Sequence, residues 1–360
     1  MRKRIVFVDL DRSVVFNGKL KGFIELLRRT FDIIEIFHNE LDSLPLNDSS
    51  GKTIIFLEPR QKLDNLFFEK IDLDKADLLF SCNHFMVTSS AVKRYIGLNF
   101  ERVIFQVENI ASVPVIKEFF NISDCDLIKV LLVPPVLDAA KINMELKSVR
   151  GARKVNSEII LAGAIYIHQW YDYKMQGSWW QTRFSVNDYY PHRKILFDYY
   201  KRFNGCNNYS RIVFRDDGLY RYINKFCAVF KHDLWARKRE AYYRLNLLDG
   251  FANASFFWGV SDIFGVFPQI CFQAMKAGCI IIGTNSVTFE SLGFIDGFNY
   301  ISIGSDVTIE NIDKCIDRVK GFSNDEIRML ASQSSRLLNR IELDCINRIE
   351  ALFDNSYIEL

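Results

Sequence analysis

Several residues able to do chemistry stand at or just past the ends of short apolar runs. Asp9 lies near the end of the run 5–10 with Asp11 just beyond it, His84 follows the run 78–81, and Glu108 follows 103–107. A carboxylate or imidazole held in a cleft can remove a proton from a hydroxyl group as a bond forms. Arg215 follows 212–214, Lys231 follows 228–230, and Arg193 comes two residues after Pro191, which can open a helix. Cations so placed can stabilise an anion developing on a ligand. Each residue also has a structural reading: Asp11 as a cap, Asp9 as a solvated carboxylate, His84 as a satisfied loop histidine, and each cation as half of a surface ion pair.

These residues need a scaffold that brings run ends together, and the periodicity supplies one. Apolar runs at 5–10, 33–37, 53–57, 78–81, 103–107 and 128–133 read as strands, with helical segments at 20–31 and 89–95. Strands spaced by helix-length segments predict parallel pairing with helices on both faces, a Rossmann-like α/β domain. Residues 141–156 are polar and rich in Lys and Arg, which fits a linker. A second series follows, with strands at 158–166, 210–214, 255–258, 279–283 and 300–303. Its helices fall at 193–203, in a segment ending near 251, and at 268–277, 310–319 and 325–352. In the last of these Ile327, Leu330, Leu337, Leu338, Ile341, Ile346 and Ile349 recur at near-helical spacing. The expectation is two tandem Rossmann-like domains with an inter-domain cleft: 1–150, then 151–335, with a helix in 336–360 packing back toward the first. In open parallel sheets ligands collect at the carboxyl ends of the strands.

Composition excludes several classes. Hydrophobic residues make up 49% and charged residues 25% of the 360, an ordinary globular balance. Lys and Arg number 46 against 44 Asp and Glu, so no global field argues for nucleic acid as a partner. The eight cysteines show neither zinc-ligand nor redox spacing and read as small hydrophobes in a reducing compartment. Neither G-x-G-x-x-G after the first strand nor a phosphate-binding G-x-x-x-x-G-K-S/T is present. No run is long enough to span a bilayer, and the basic start is broken by Asp9, Asp11 and Arg12, so a cytoplasmic chain is expected.

The most informative stretch is 264–285, FGVFPQICFQAMKAGCIIIGTN, with 294–300, FIDGFNY, downstream. It resembles the donor-site signature of GT-B glycosyltransferases, in which a Phe-Gly step and a helix reading Glu-Ala-Met-Ala-x-Gly lead into a buried strand. The closest flavour is the enzymes of bacterial surface-polysaccharide clusters. The likeness implies a helix that begins near Pro268 and Gln269 and turns its free amides on nucleotide phosphates. It also implies donor contacts from Gln273, Thr284, Asn285 and Glu290, and a phosphate cation among Arg193, Arg215 and Lys231. The general base would be Asp9, Asp11, Glu108 or His84 from the first domain. Glu290 can equally be a helix-start charge favoured by the dipole.

One departure stands out. The E-x7-E positions of the retaining families fall on Gly265 and Gln273, neither acidic, so stereochemistry does not carry over. The same departure is the support for an alternative, a non-catalytic glycan-binding or scaffold protein. With no clustered Asp-x-Asp in a donor loop, the likeness implies no metal and no other cofactor. Implied partners are a nucleotide sugar and a glycan or lipid-linked glycan acceptor, with peripheral contact at the inner membrane or with other assembly enzymes. Residues 168–190, with Trp170, Trp179 and Trp180 among Lys174 and Arg183, suit an acceptor or membrane-contact loop, or a packed aromatic seam.

Overall fold

The computed structural model describes residues 3–9, 24, 26–37, 53–57, 75–81, 100–107, 128–132, 155–161, 164–166, 191–203, 211–213, 250–251, 253–260 and 267–354. By contacts the chain divides into two units, 1–138 with 174–183 and 339–360, and 139–173 with 184–338.

In the first unit β1 (Arg4–Asp9), β2 (Asp32–Phe37), β3 (Thr53–Leu57), β4 (Ala76–Ser81), β5 (Arg102–Val107) and β6 (Ile128–Leu132) form a parallel sheet in the order β2-β1-β3-β4-β5-β6. The runs are rich in Ile, Val, Leu and Phe on consecutive positions, as strands buried on both faces require. Register pairs Ile5 with Ile33 and with Ile54. Strand order reverses across β1 and β3, a topological switch point of the kind that flanks ligand sites. Ile5, Phe7, Ile54, Leu79 and Ile104 are buried together with Ile24, Leu26 and Leu27 of the helical stretch after β1.

The second unit holds a parallel sheet of β7 (Ile159–Ile160), β10 (Phe256–Trp258), β11 (Ile280–Gly283) and β12 (Ile301–Ser302), in the order β12-β11-β10-β7. A separate parallel pair joins β8 (Ala164–Tyr166) to β9 (Arg211–Val213). The single strand expected over 158–166 is therefore two strands in two sheets. β7 ends at Ile160 and β8 begins at Ala164. Its described helices are α1 (Pro191–Phe203), α2 (Gln269–Lys276), α3 (Val287–Leu292), α4 (Ile309–Gly321) and the first part of α5 (Asn324–Phe353), whose residues from 339 on belong to the first unit. α1 starts at the proline itself, two residues before the expected start, since Pro at the first helical position loses no hydrogen bond. α3, a short helix, has Glu290 in its first turn, as the reading of that residue as a helix-start charge requires.

The second core gathers Ile159, Leu196, Tyr200, Phe256, Trp258, Ile280, Ile282, Ile301, Ile312 and Val319. Inside it the Trp258 indole donates to the Tyr200 hydroxyl, which satisfies a buried polar tip. α5 contributes to both cores: Ile327 and Leu330 to the second, Cys345, Ile349 and Leu352 to the first. Cys271, Cys279, Cys315 and Cys345 are buried thiols, and burial pushes that of Cys315 up to about 12. They are inert hydrophobes here, as their placement in apolar runs suggested.

Candidate functional site

The polar residues of interest in the second unit collect at the carboxyl ends of β10, β11 and β12. Three backbone bonds tie these ends into one edge: Gly259 N to Ile282 O (2.8 Å), Ile303 N to Gly283 O (2.9 Å), and Asn285 N to Gly304 O (2.9 Å). Gly259 must be glycine, because a Cβ there would meet Ile281 Cγ2 at 2.5 Å and Cys271 Sγ at 2.7 Å. Cys271 belongs to the first turn of α2, so this contact seats α2 against the end of β10.

Helix starts in residues 267–354 separate into two kinds. Ser286 caps α3 by accepting from Phe289 N at 3.3 Å, and Thr308 caps α4 by accepting from Asn311 N at 3.2 Å. α5 has a reciprocal box, in which Ser323 Oγ accepts from Glu326 N and Glu326 Oε2 accepts from Ser323 N at 2.7 Å. α2 is different. It starts after Pro268, in extended conformation, and no side chain caps it. Its far end closes normally: Cys279 N reaches Ala274 O at 2.7 Å, and Gly278 takes φ 87°, the left-handed turn that leads into β11. The donors at its first turn thus lack the side-chain oxygen that the other three starts possess.

Arg193 approaches this first turn. It is 6% exposed, and its charge lowers the Cys271 thiol against a larger opposing effect of burial. Its neighbour His192 is half-buried, with Nδ1 enclosed and without a hydrogen-bond partner among the described residues. Burial holds that imidazole below its usual value, and the Asp306 carboxylate, past the end of β12, partly opposes the shift. The proline-opened start of α1 therefore lies near the uncapped start of α2.

An aromatic cluster fixes the geometry. Phe267, just before α2, packs on Phe289 of α3 (5.1 Å between centroids) and on Phe294 (5.0 Å), and Phe289 in turn packs on Tyr300 (5.5 Å). Gly283 makes room for it, since a Cβ would meet the Phe289 ring at 2.4 Å. Asn299, 3% exposed, ties the loop by accepting from Ile295 N (2.8 Å) and donating to Gly293 O (3.0 Å). Asp296 accepts from Ser302 N at 2.8 Å and pairs with Arg318 at 2.9 Å. Sequence patterning gave no weight to this bracing as a support of the α2 start. The density of Phe in 264–300 was the available signal.

Of the residues implied as donor contacts, Pro268 is the N-cap of α2 and Gln269 its first residue. Gln273 lies a turn further along, half-buried. Thr284 is buried at 2%. Asn285 is exposed, but its Oδ1 already accepts from Tyr300 Oη (2.6 Å) and Ser302 Oγ (2.9 Å), which leaves its amide nitrogen for other work. Glu290 is exposed in the first turn of α3, where its charge adds to the burial that raises the Tyr300 phenol. Asp9 is the last residue of β1, at the switch point of the first sheet. Asp11, His84, Glu108, Arg215, Lys231 and the aromatic segment 168–190 lie outside the described residues. Among the described residues no three His, Cys, Asp or Glu come together as a metal site, and no helix is long and apolar enough to cross a membrane.

Two parallel α/β units of this kind define the GT-B fold, and the chain has that fold. HepE of Anabaena, solved in complex with UDP and glucose, is similar over 98% of this chain and 100% of its own, at 11% identity and a TM-score of 0.51. A glycosyltransferase from Rickettsia africae is similar over 99% and 98%, at 12% identity and a TM-score of 0.52. No protein-family model and no curated protein sequence matches the chain.

Proposed function

We propose that the protein is a glycosyltransferase that moves a sugar from a nucleotide-activated donor to a glycan or lipid-linked glycan acceptor in bacterial surface-polysaccharide synthesis. The observation that carries the reading is the start of α2, which lacks a side-chain cap and has a buried arginine beside it. Backbone amides and a guanidinium converging on one spot suit a diphosphate, both when bound and when leaving with its charge. Pro268, Gln269 and Arg193 would hold the phosphates, and Thr284, the Asn285 amide and Glu290 would meet ribose or sugar hydroxyls. A carboxylate of the first unit, with Asp9 at its switch point as the described candidate, would take the acceptor proton. The complex of the similar HepE makes UDP the first nucleotide to try. Because amides and arginine offset the charge, transfer is expected to proceed without a metal, at the cytoplasmic face of the membrane.

The direct test is a thermal-shift screen of nucleotides and nucleotide sugars at millimolar concentration, followed by assay of nucleotide release with acceptor glycans, with and without EDTA. Stabilisation and EDTA-insensitive release are expected. If no nucleotide or nucleotide sugar raised the melting temperature, the donor site would be abandoned. Glycan binding without nucleotide release would favour the non-catalytic scaffold, for which the Gly265 and Gln273 departures speak.

A further inference from the structure

α5 runs without interruption for thirty residues, yet the boundary between the two units falls within it, between 338 and 339. Its buried stripe is Ile327, Leu330, Ser334, Leu337, Leu338, Ile341, Cys345, Ile349 and Leu352, and Ser334 is the one polar member. Ser334 is 1% exposed, and its hydroxyl has no hydrogen-bond partner among the described residues, not even the carbonyl a turn earlier that a helical serine commonly takes. Ser332 and Ser335 flank it, so the turn 332–335 combines weak helix formers with an unsatisfied buried group.

Both ends are held firmly. At the start the Ser323–Glu326 box closes the first turn, and Ile327 and Leu330 enter the second core. At the other end the Arg102 guanidinium, paired with the fully buried Asp77, also donates to Leu352 O. Lys3 Nζ donates to Asp354 at 2.6 Å, and Phe353 stacks on Phe31 with centroids 5.5 Å apart. A helix anchored in two different cores and weakest between them has a defined place to give.

We propose that α5 opens as two helices joined at the serine turn 332–335, its first part cooperative with the second unit and its last three turns with the first. Local opening in proteins follows such cooperative blocks rather than secondary-structure boundaries. The serine turn is then the place where one cooperative block ends and the other begins.

Native-state hydrogen exchange on the intact chain tests this. Amides of 345–353 should exchange in the same opening as β1 and β4, those of 324–331 with β10 and β11, and those of 332–338 faster than either. Ile349→Ala should accelerate 345–353 with β1 and leave 324–331 unchanged, and Leu330→Ala should do the reverse. Ser334→Ala, which removes the unsatisfied hydroxyl, should slow the exchange of 332–338 by about tenfold. Exchange of all of α5 as one block, or acceleration of both parts by either core variant, would overturn the proposal, as would an unchanged turn in Ser334→Ala.

Discussion

The amino edge of the first sheet and the carboxyl edge of the second carry similar charges and use them differently. At the starts of β1, β2, β4 and β5 the charges are spent on one another: Arg4 pairs with Asp32 at 3.5 Å, and Arg102 with Asp77, which is wholly buried. At the ends of β10, β11 and β12 it is a helix start that is left open. A buried arginine stands by a helix start without a side-chain cap, while the surrounding loops are braced by Asn299, Asp296 and the Phe267 cluster. In parallel sheets the amino edge is free to serve stability, whereas the carboxyl edge, where helix starts converge, is where ligands bind. Residue type alone therefore says little about role; the edge it occupies says more.

That contrast can be broken by substitution. The largest effect is expected from Arg102→Met, which strands the buried Asp77 carboxylate and should cost about 3–5 kcal/mol. Urea unfolding measures it, and a loss below about 1 kcal/mol would class the pair with ordinary surface bridges. Arg193→Gln should lower kcat/KM for transfer by about 10²- to 10³-fold, the range for losing one preorganised charge-stabilising donor. Destabilisation with undiminished turnover would instead make Arg193 a structural residue like Arg102.

Gly259→Ala should destabilise by about 1–3 kcal/mol, because the added methyl group meets Ile281 and Cys271 in a packed seat. Chemical denaturation reads this directly. Pro268→Ser gives α2 the side-chain cap its neighbours have. It should stabilise the fold by about 1 kcal/mol and weaken nucleotide binding, since the new hydroxyl competes for the same amides. Tighter binding together with stabilisation would separate the α2 start from the ligand site.

The smallest expected effect is on pH dependence. Burial holds the folded-state value of His192 below about 6.5, so the unfolded chain takes up the proton first as pH falls. The stability tied to the neutral ring is complete above about pH 6.5 and is lost on descending toward the folded-state value. The melting temperature of the wild type should thus fall more steeply between pH 7.5 and 5 than that of His192→Asn, and equal slopes would contradict the assignment.

Much of the scaffold could be read without coordinates. The strands β1 to β6 and β10 to β12 fall within two residues of their apolar runs, because strands buried on both faces are written as continuous Ile, Val, Leu and Phe. The left-handed Gly278 between α2 and β11 was legible from the Ala277-Gly278 step. The division of 158–166 was not, since three-residue strands carry too little pattern to tell one strand from two. The bracing of the site was hidden for another reason: 294–300 stood in the sequence only as part of the donor-site likeness, and only the bonds of Asn299 and Asp296 to Gly293, Ile295, Ser302 and Arg318 make them supports.

The chain's own order of residues determined that there would be parallel sheets, where α2 would begin and end, and that Arg193 would sit behind a helix-opening proline. Those are local matters of periodicity, capping and backbone freedom. Tertiary structure alone decided that Arg193 faces the first turn of α2 some eighty residues away, that Asn285 spends its carbonyl internally, and that a serine falls on the buried face of α5. These depend on which surfaces meet, a property of packing that no window of neighbouring residues encodes.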